Sequence, residues 1–169
     1  MRNSVRSFEP HMKTYEQLVG KFSNDPSLVY REMFIYPNNS CYRGQMKKKD
    51  DTCIGKLSES TYPNGRPSVV SGEDDDYFRH GYGIQYWVDG AHYEGEWKWN
   101  KADGQGTFWH AEGDVYKGQF KNDMANGEGE YTHINGSKYH GEFKDDVQEG
   151  NGKEEWIDGA KYHGSYKNG

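Results

Sequence analysis

Tyrosine stands at positions 93, 116, 139 and 162, and two residues after each comes a glycine: Gly95, Gly118, Gly141 and Gly164. Glycine pairs keep the same step of 23 residues, Gly81 with Gly83, Gly104 with Gly106, Gly127 with Gly129 and Gly150 with Gly152. A register held at this many positions at once makes the chain an array of like units, each too small to bury an apolar face alone.

Each unit reads as two short strands. Tyr116, Gly118 and Phe120 alternate with Lys117, Gln119 and Lys121, and the sets around Tyr93 and Tyr139 repeat the pattern. A period of two with rings on one side is the signature of a strand with one dry face. Between the glycine pair and the tyrosine lie Asp89-Gly90, Glu112-Gly113, Asn135-Gly136 and Asp158-Gly159. These read as hairpin turns in which both residues take positive φ. An isolated hairpin is marginal in water, so neighbours must share their aromatic faces along a row. Four units of two strands make a ribbon roughly 38 Å long at about 4.8 Å per strand. The expected fold is therefore all-β, an elongated single-layer antiparallel sheet of tandem β-hairpins.

Composition agrees with that reading. Only 32% of the 169 residues are hydrophobic and mean hydropathy is −1.20, too polar for an ordinary two-layer core. Aromatic residues nevertheless reach 15%, which sets the chain apart from disordered sequences. The net charge of −6 argues against nucleic acid as a partner, and two cysteines, Cys41 and Cys53, are too few for a disulfide scaffold. No apolar stretch approaches the roughly 20 residues of a membrane span. A cytoplasmic setting is expected.

Outside the regular array, spanning 81–169, the pattern loosens. Residues 30–80 read as two divergent repeats with an acidic insertion. In the first, Tyr42, Gly44 and Met46 reproduce the second strand and Tyr30 to Tyr36 supplies its partner; in the other, Asn64-Gly65 marks a turn but Ser68 stands at the tyrosine position. Residues 1–29 form an arm, with a short amphipathic helix over 11–22 through Met12, Tyr15, Val19 and Phe22 that covers the open end of the array. The chain stops at the close of a unit, Tyr166 to Gly169, and a longer natural chain cut there, with an exposed sheet edge, is expected.

A glycine pair, an Asp-Gly or Asn-Gly turn and then Tyr-X-Gly with an acidic, amide or serine residue and an aromatic one resembles the MORN repeat, the membrane occupation and recognition nexus. The resemblance implies tandem hairpins with an aromatic-lined groove. Its core positions fall on Tyr93, Tyr116, Tyr139 and Tyr162, on Gly95, Gly118, Gly141 and Gly164, and on Trp97, Phe120, Phe143 and Tyr166. It also implies scaffolding roles in cilia, the cytoskeleton and membrane junctions. The usual Asn-Gly after the second strand survives only at Asn168-Gly169; Asn100-Lys101, Asn122-Asp123 and Asp145-Asp146 replace it, and wider turns are expected there.

The chemical alternatives are thin. Histidine occurs seven times, but His110 and His133 occupy equivalent places where other units have Trp87 and Trp156, so a ladder of flat side chains explains them without a metal. Acidic residues recur as turn and solvent-face positions, no nucleophile stands in a supporting motif, and no glycine-rich phosphate fingerprint precedes a helix. No catalytic residue, metal site or cofactor is expected. The acidic run Glu73 to Asp76 reads as a solvated insertion.

What remains is a non-enzymatic scaffold whose groove holds an amphipathic helix or extended peptide from a protein partner. Trp97, Trp99, Trp109, Phe120 and Tyr139 are the expected contacts. Recruitment to acidic phospholipids, with peripheral membrane association, is the alternative, through Arg2, Arg6, Lys13 and Lys21 or through Lys47 to Lys49. Self-assembly into dimers or polymers, a homo-oligomer built on the sheet edge, is a third reading.

Overall fold

The computed structural model describes residues 13–49 and 77–169. Ten strands form one antiparallel sheet in strict chain order: β1 (Leu28–Ile35), β2 (Cys41–Lys48), β3 (Tyr77–Tyr86), β4 (His92–Lys98), β5 (Lys101–Trp109), β6 (Val115–Lys121), β7 (Met124–Thr132), β8 (Lys138–Lys144), β9 (Val147–Glu155) and β10 (Lys161–Tyr166). Before them lie one helical turn, α1 (Tyr15–Leu18), and a 3-10 turn, Val19–Lys21. This is the expected single-layer array of hairpins.

The glycines line up. Gly44 pairs with Gly83, Gly83 with Gly95, Gly95 with Gly106, and so on across the sheet to Gly152 with Gly164. Over this furrow lie the repeat tyrosines. Each ring covers a glycine of the following strand, and each hydroxyl donates to the carbonyl three residues on: Tyr42 to Gln45 at 2.7 Å, Tyr93 to Glu96 at 2.9 Å, Tyr116 to Gln119 at 2.8 Å, Tyr139 to Glu142 at 3.0 Å. Between successive tyrosines the second ring of each repeat stands edge-on. Trp97, Phe120, Phe143 and Tyr166 link Tyr42, Tyr93, Tyr116, Tyr139 and Tyr162 into one zigzag with centroids 4.9–5.7 Å apart. Edge-to-face pairs of this kind stabilise beyond the area they bury. That zigzag is the core, and the side of the sheet that carries it is the front face.

The glycine pair does not simply open a hairpin. Gly95 faces Gly106 and Trp97 faces Ala102, so Glu96 lies opposite Asp103, Gly104 and Gln105 in a bulge. Gly104 takes φ +116 there, and the Glu96 side chain fills the space a Cβ would need. The carboxylate of Glu96 accepts the Gln105 amide, as Gln119 accepts Glu128, Glu142 accepts Asn151 and Gln45 accepts Tyr82. The acidic or amide residue after the Tyr-X-Gly glycine is therefore a staple across the bulge.

Two turn expectations are corrected. In the loops after β3, β5, β7 and β9 only the glycine has positive φ, and the loop closes from His110 to Asp114 and from His133 to Ser137 rather than as a two-residue turn. The tight turns lie at the other end. Trp99-Asn100, Asn122-Asp123 and Asp145-Asp146 have both residues left-handed, and these turns are no wider than Asn168-Gly169. Asn and Asp suit this geometry because their short polar side chains lower its cost. Their side chains also accept an amide from the strand beside them, Asp123 from Ala102 at 2.8 Å and Asp146 from Ala125 at 2.6 Å.

β2 pairs directly with β3 through Gly44 and Gly83, as β4 pairs with β5. The divergent unit expected around Asn64 and Ser68, the acidic run and Cys53 lie outside the described residues, as do Met12, Arg2 and Arg6. The arm differs from expectation in how it packs. Leu18 is fully buried, while Tyr15 and Val19 of the expected apolar stripe are exposed. It lies across the back face of the first strands and touches Tyr30, Arg43, Gln45, Tyr82 and Glu94.

Candidate partner-binding site

The five rings expected to contact a partner occupy three different places. Trp97, Phe120 and Tyr139 are 4%, 9% and 0% exposed, part of the zigzag itself. The Trp97 indole also donates to the Gly83 carbonyl at 3.1 Å, and the Arg79 guanidinium lies 4.2 Å from its ring. Packing against neighbouring repeats occupies the ring faces of these three. Of the remaining core positions, Tyr93, Tyr116 and Phe143 are buried, Gly95, Gly118, Gly141 and Gly164 lie in the furrow, and Tyr162 and Tyr166 at the last strand retain exposed surface.

Trp99 and Trp109 lie on the back face. Trp109 stacks on His92 at 4.4 Å with planes 9° apart, and His92 stacks in turn on Tyr86 at 5.3 Å. Trp99 occupies the first place of a left-handed turn, with φ +52, and meets the edges of Phe78 and His80 while the Lys47 ammonium lies 5.5 Å from its ring. Both rings are half-buried.

The front face holds a second ring row, in which Trp87, His110 and His133 of the expected ladder are joined by Phe108 and Tyr131, for which the sequence carried no expectation. Trp87 contacts Phe108, Phe108 contacts His110, His110 contacts Tyr131 and Tyr131 contacts His133, with centroids 4.6–5.8 Å apart. Phe108 and Tyr131 lie between repeat tyrosines: Phe108 pairs with Tyr93 and Tyr116, and Tyr131 with Tyr116 and Tyr139. Unlike the zigzag, these five rings are only half-buried. The signal was present in the 23-residue equivalence, since Gln85, Phe108, Tyr131 and Glu154 share one position and only the two central units carry rings.

Beside this row the charge is negative. Asp89, Glu112, Asp114 and Asp158 stand on the loops that close the hairpins, with Val88 and Ile134 exposed among them. Asp114 bridges two units: its carboxylate accepts the Tyr131 hydroxyl at 2.7 Å and the Ile134 amide at 2.8 Å, and lies 3.3 Å from His133 Nδ1. Those donors hold its carboxyl below the usual range, while burial and the Asp114 charge push the Tyr131 hydroxyl up to about 12. Tyr131 therefore stays neutral and its ring is fixed in orientation.

On the opposite long edge, an open depression of about 530 Å³ is lined by Glu96, Asp103, Gln119 and Lys121 around one side of Phe120. Its lining is polar and it follows the bulges rather than the rings. Among the described residues no group of His, Cys, Asp or Glu is placed to hold a metal ion, and no helix is long and apolar enough to cross a membrane. Two of the arm's basic residues, Lys13 and Lys21, are paired with Glu94.

The family model described as the MORN repeat matches residues 76–92, 93–115, 116–138 and 139–161, together just over half of the chain. Comparison with curated proteins gives no match.

Proposed function

Because this chain belongs to the MORN repeat family, we propose that it is a non-enzymatic scaffold that holds an amphipathic helix of a protein partner along the half-buried ring row of its front face. The observation that carries this reading is the row from Trp87 through Phe108, His110 and Tyr131 to His133, whose rings touch one another yet keep one side open. Rigid aromatic side chains give large contact area at small entropic cost, the profile of interface anchors.

Spacing supports a helix over an extended strand. Equivalent side chains of successive repeats lie about 9.6 Å apart, two strands at roughly 4.8 Å each. A helix returns to the same heptad position about every 10.5 Å. One apolar side chain per heptad thus meets one repeat, over the two or three repeats of the row. The acidic loops beside the row favour lysine or arginine on the flank of that helix. Trp99 and Trp109, on the back face, are secondary contacts in this reading.

The test is affinity capture from native lysate with the full chain and with Phe108→Ala/Tyr131→Ala, after both are shown to melt cooperatively. Loss of a protein that the wild type retains is the expected result. An identical captured set from both chains sinks the front-face assignment.

A further inference from the structure

Away from the ring contacts of Trp99 and Trp109, the back face of the later repeats is mostly polar. In the second regular repeat, three back-face positions are Gln105, Thr107 and Lys117. The equivalent positions one repeat earlier are Tyr82, Ile84 and Glu94. Ile84 and Glu94 are buried, although most side chains on this face meet solvent. This one repeat departs from the template in three residues at once, and the departures face the same segment of chain.

That segment carries two lysines around one leucine. Lys13 and Lys21 both reach the Glu94 carboxylate, Lys21 at 2.7 Å, and the Tyr82 hydroxyl donates to the same carboxylate at 2.7 Å. Lys21 also donates to the Tyr82 hydroxyl at 3.0 Å and stands 5.2 Å from its ring. Leu18, between the two lysines in the chain, is wholly buried. The Arg43 guanidinium donates to the Lys13 carbonyl, and Gln45 clasps both the amide and the carbonyl of Ser23 at 2.8 Å. An acid that is 4% exposed and meets three donors, beside an apolar seat, is a built receptor rather than incidental cover.

Its occupant is weakly held in itself. One turn of helix falls far short of the length at which a helix is stable alone, so α1 exists only by docking. The docking rests on Leu18, on Tyr15 and Phe22 against Tyr30, on the Arg43 and Gln45 bonds, and on lysines that are 42% and 49% exposed, with Leu18 the one fully buried side chain. A segment with so few buried contacts belongs to the low-stability end of the molecule and opens without global unfolding.

We infer that the back face of β3 and β4 is a docking site for a short helical turn flanked by lysines, held in this chain by residues 13–21 and open to a partner segment of the same Lys-x4-Leu-x2-Lys chemistry. Charge complementarity selects that occupant: two cations must span one buried carboxylate, with a branched apolar side chain between them. The arm is tethered by only a few residues before β1, which sets an effective concentration on the order of millimolar against any competitor. A partner must exceed that competition, so the tethered arm acts as a threshold on binding. This site is on the face opposite the ring row and stands whether or not that row binds anything.

The test uses the full chain and a fluorescently labelled synthetic peptide of residues 11–24. Leu18→Asp should expel the tethered arm and bind the peptide at least about tenfold more tightly than the wild type does. Adding Glu94→Lys to that variant should remove the gain, and Phe108→Ala/Tyr131→Ala should leave it unchanged. Lys13→Glu/Lys21→Glu is the second arm variant, used if Leu18→Asp does not melt cooperatively. Equal affinity for wild type and arm variant, no saturable binding to the arm variant, or binding indifferent to Glu94→Lys would each overturn the assignment.

Discussion

Tyr116 lies so close over Gly129 that a Cβ on that glycine would come within 2.5 Å of the tyrosine hydroxyl oxygen. The glycine is required by a neighbouring ring and not by its backbone, whose φ is ordinary. Gly129→Ala must displace a ring that is hydrogen-bonded to Gln119 and packed edge-on against Phe120 and Phe143. It should cost about 2–3 kcal/mol through overpacking. Gly136→Ala has open space around the new methyl group and φ +94, so it should cost about 1 kcal/mol from backbone strain alone. Urea denaturation of both variants checks the ranking, and a reversed order would contradict the role given to the ring.

Gln119 tests the staple. Its side-chain oxygen accepts the Glu128 amide at 2.9 Å, a place where other repeats use Glu96 or Glu142. Gln119→Glu should therefore be neutral to within about 0.5 kcal/mol. Gln119→Ala should lose about 1 kcal/mol, since solvent can reach the freed amide. Equal losses in the two variants would assign the effect to something other than that bond.

How much of this was legible beforehand can be read from single residues. The step of 23 gave the strands, the pairing of glycines and the placing of Tyr93, Tyr116 and Tyr139 on one face, because alternation fixes side and repetition fixes register. Alternation does not say which ring covers which, and so it could not separate Phe120, inside the zigzag, from Phe108, half-open beside it. That difference arises from contacts between strands of different repeats. The Asp-Gly pairs misled for a related reason: a type I′ turn and a longer loop with one left-handed glycine share the same dipeptide. In the arm, the stripe found Tyr15 and Phe22, which pack on Tyr30, but not Leu18, its one fully buried side chain, because Leu18 lies off that stripe.

Trp99 occupies a left-handed position that its counterparts fill with Asn122 and Asp145. A bulky side chain there carries backbone strain that its contacts with Phe78 and His80 offset. Trp99→Asn relieves the strain as it loses the contacts, so stability should fall by about 1 kcal/mol or less. Trp97→Ala, which opens the core, should cost about 3–5 kcal/mol. Thermal melts compare the two; near-equal losses would make Trp99 as structural as Trp97. With the fold retained, any loss of partner affinity in Trp99→Asn reports a contact.

Burial pushes the Glu94 carboxyl up, but donation from Lys13, Lys21 and Tyr82 more than reverses this and leaves it below its ordinary value. Lys21 is raised above its ordinary value by Glu94 and Tyr82. A depressed acid contributes stability that is present above its unfolded pKa and lost as pH falls through the folded one; a raised lysine contributes stability lost as pH rises through its folded value. The docked arm should therefore be held most firmly between the ordinary carboxylate and lysine ranges, and should loosen as pH falls below the first or rises above the second. Amide exchange at residues 82–94, corrected for the intrinsic pH dependence, checks the acid side. Glu94→Gln should abolish that transition, and an unchanged acid transition in this variant would remove Glu94 from the latch.

The central claim is that a partner helix lies along the front-face rings. Hydrogen-exchange protection of the full chain, with and without a captured partner, measures it most directly. Protection confined to residues 87, 108–110 and 131–133, with the loops between them, is the result this account predicts. Protection at the back face or along the Glu96 to Lys121 edge, with that row unchanged, would contradict it.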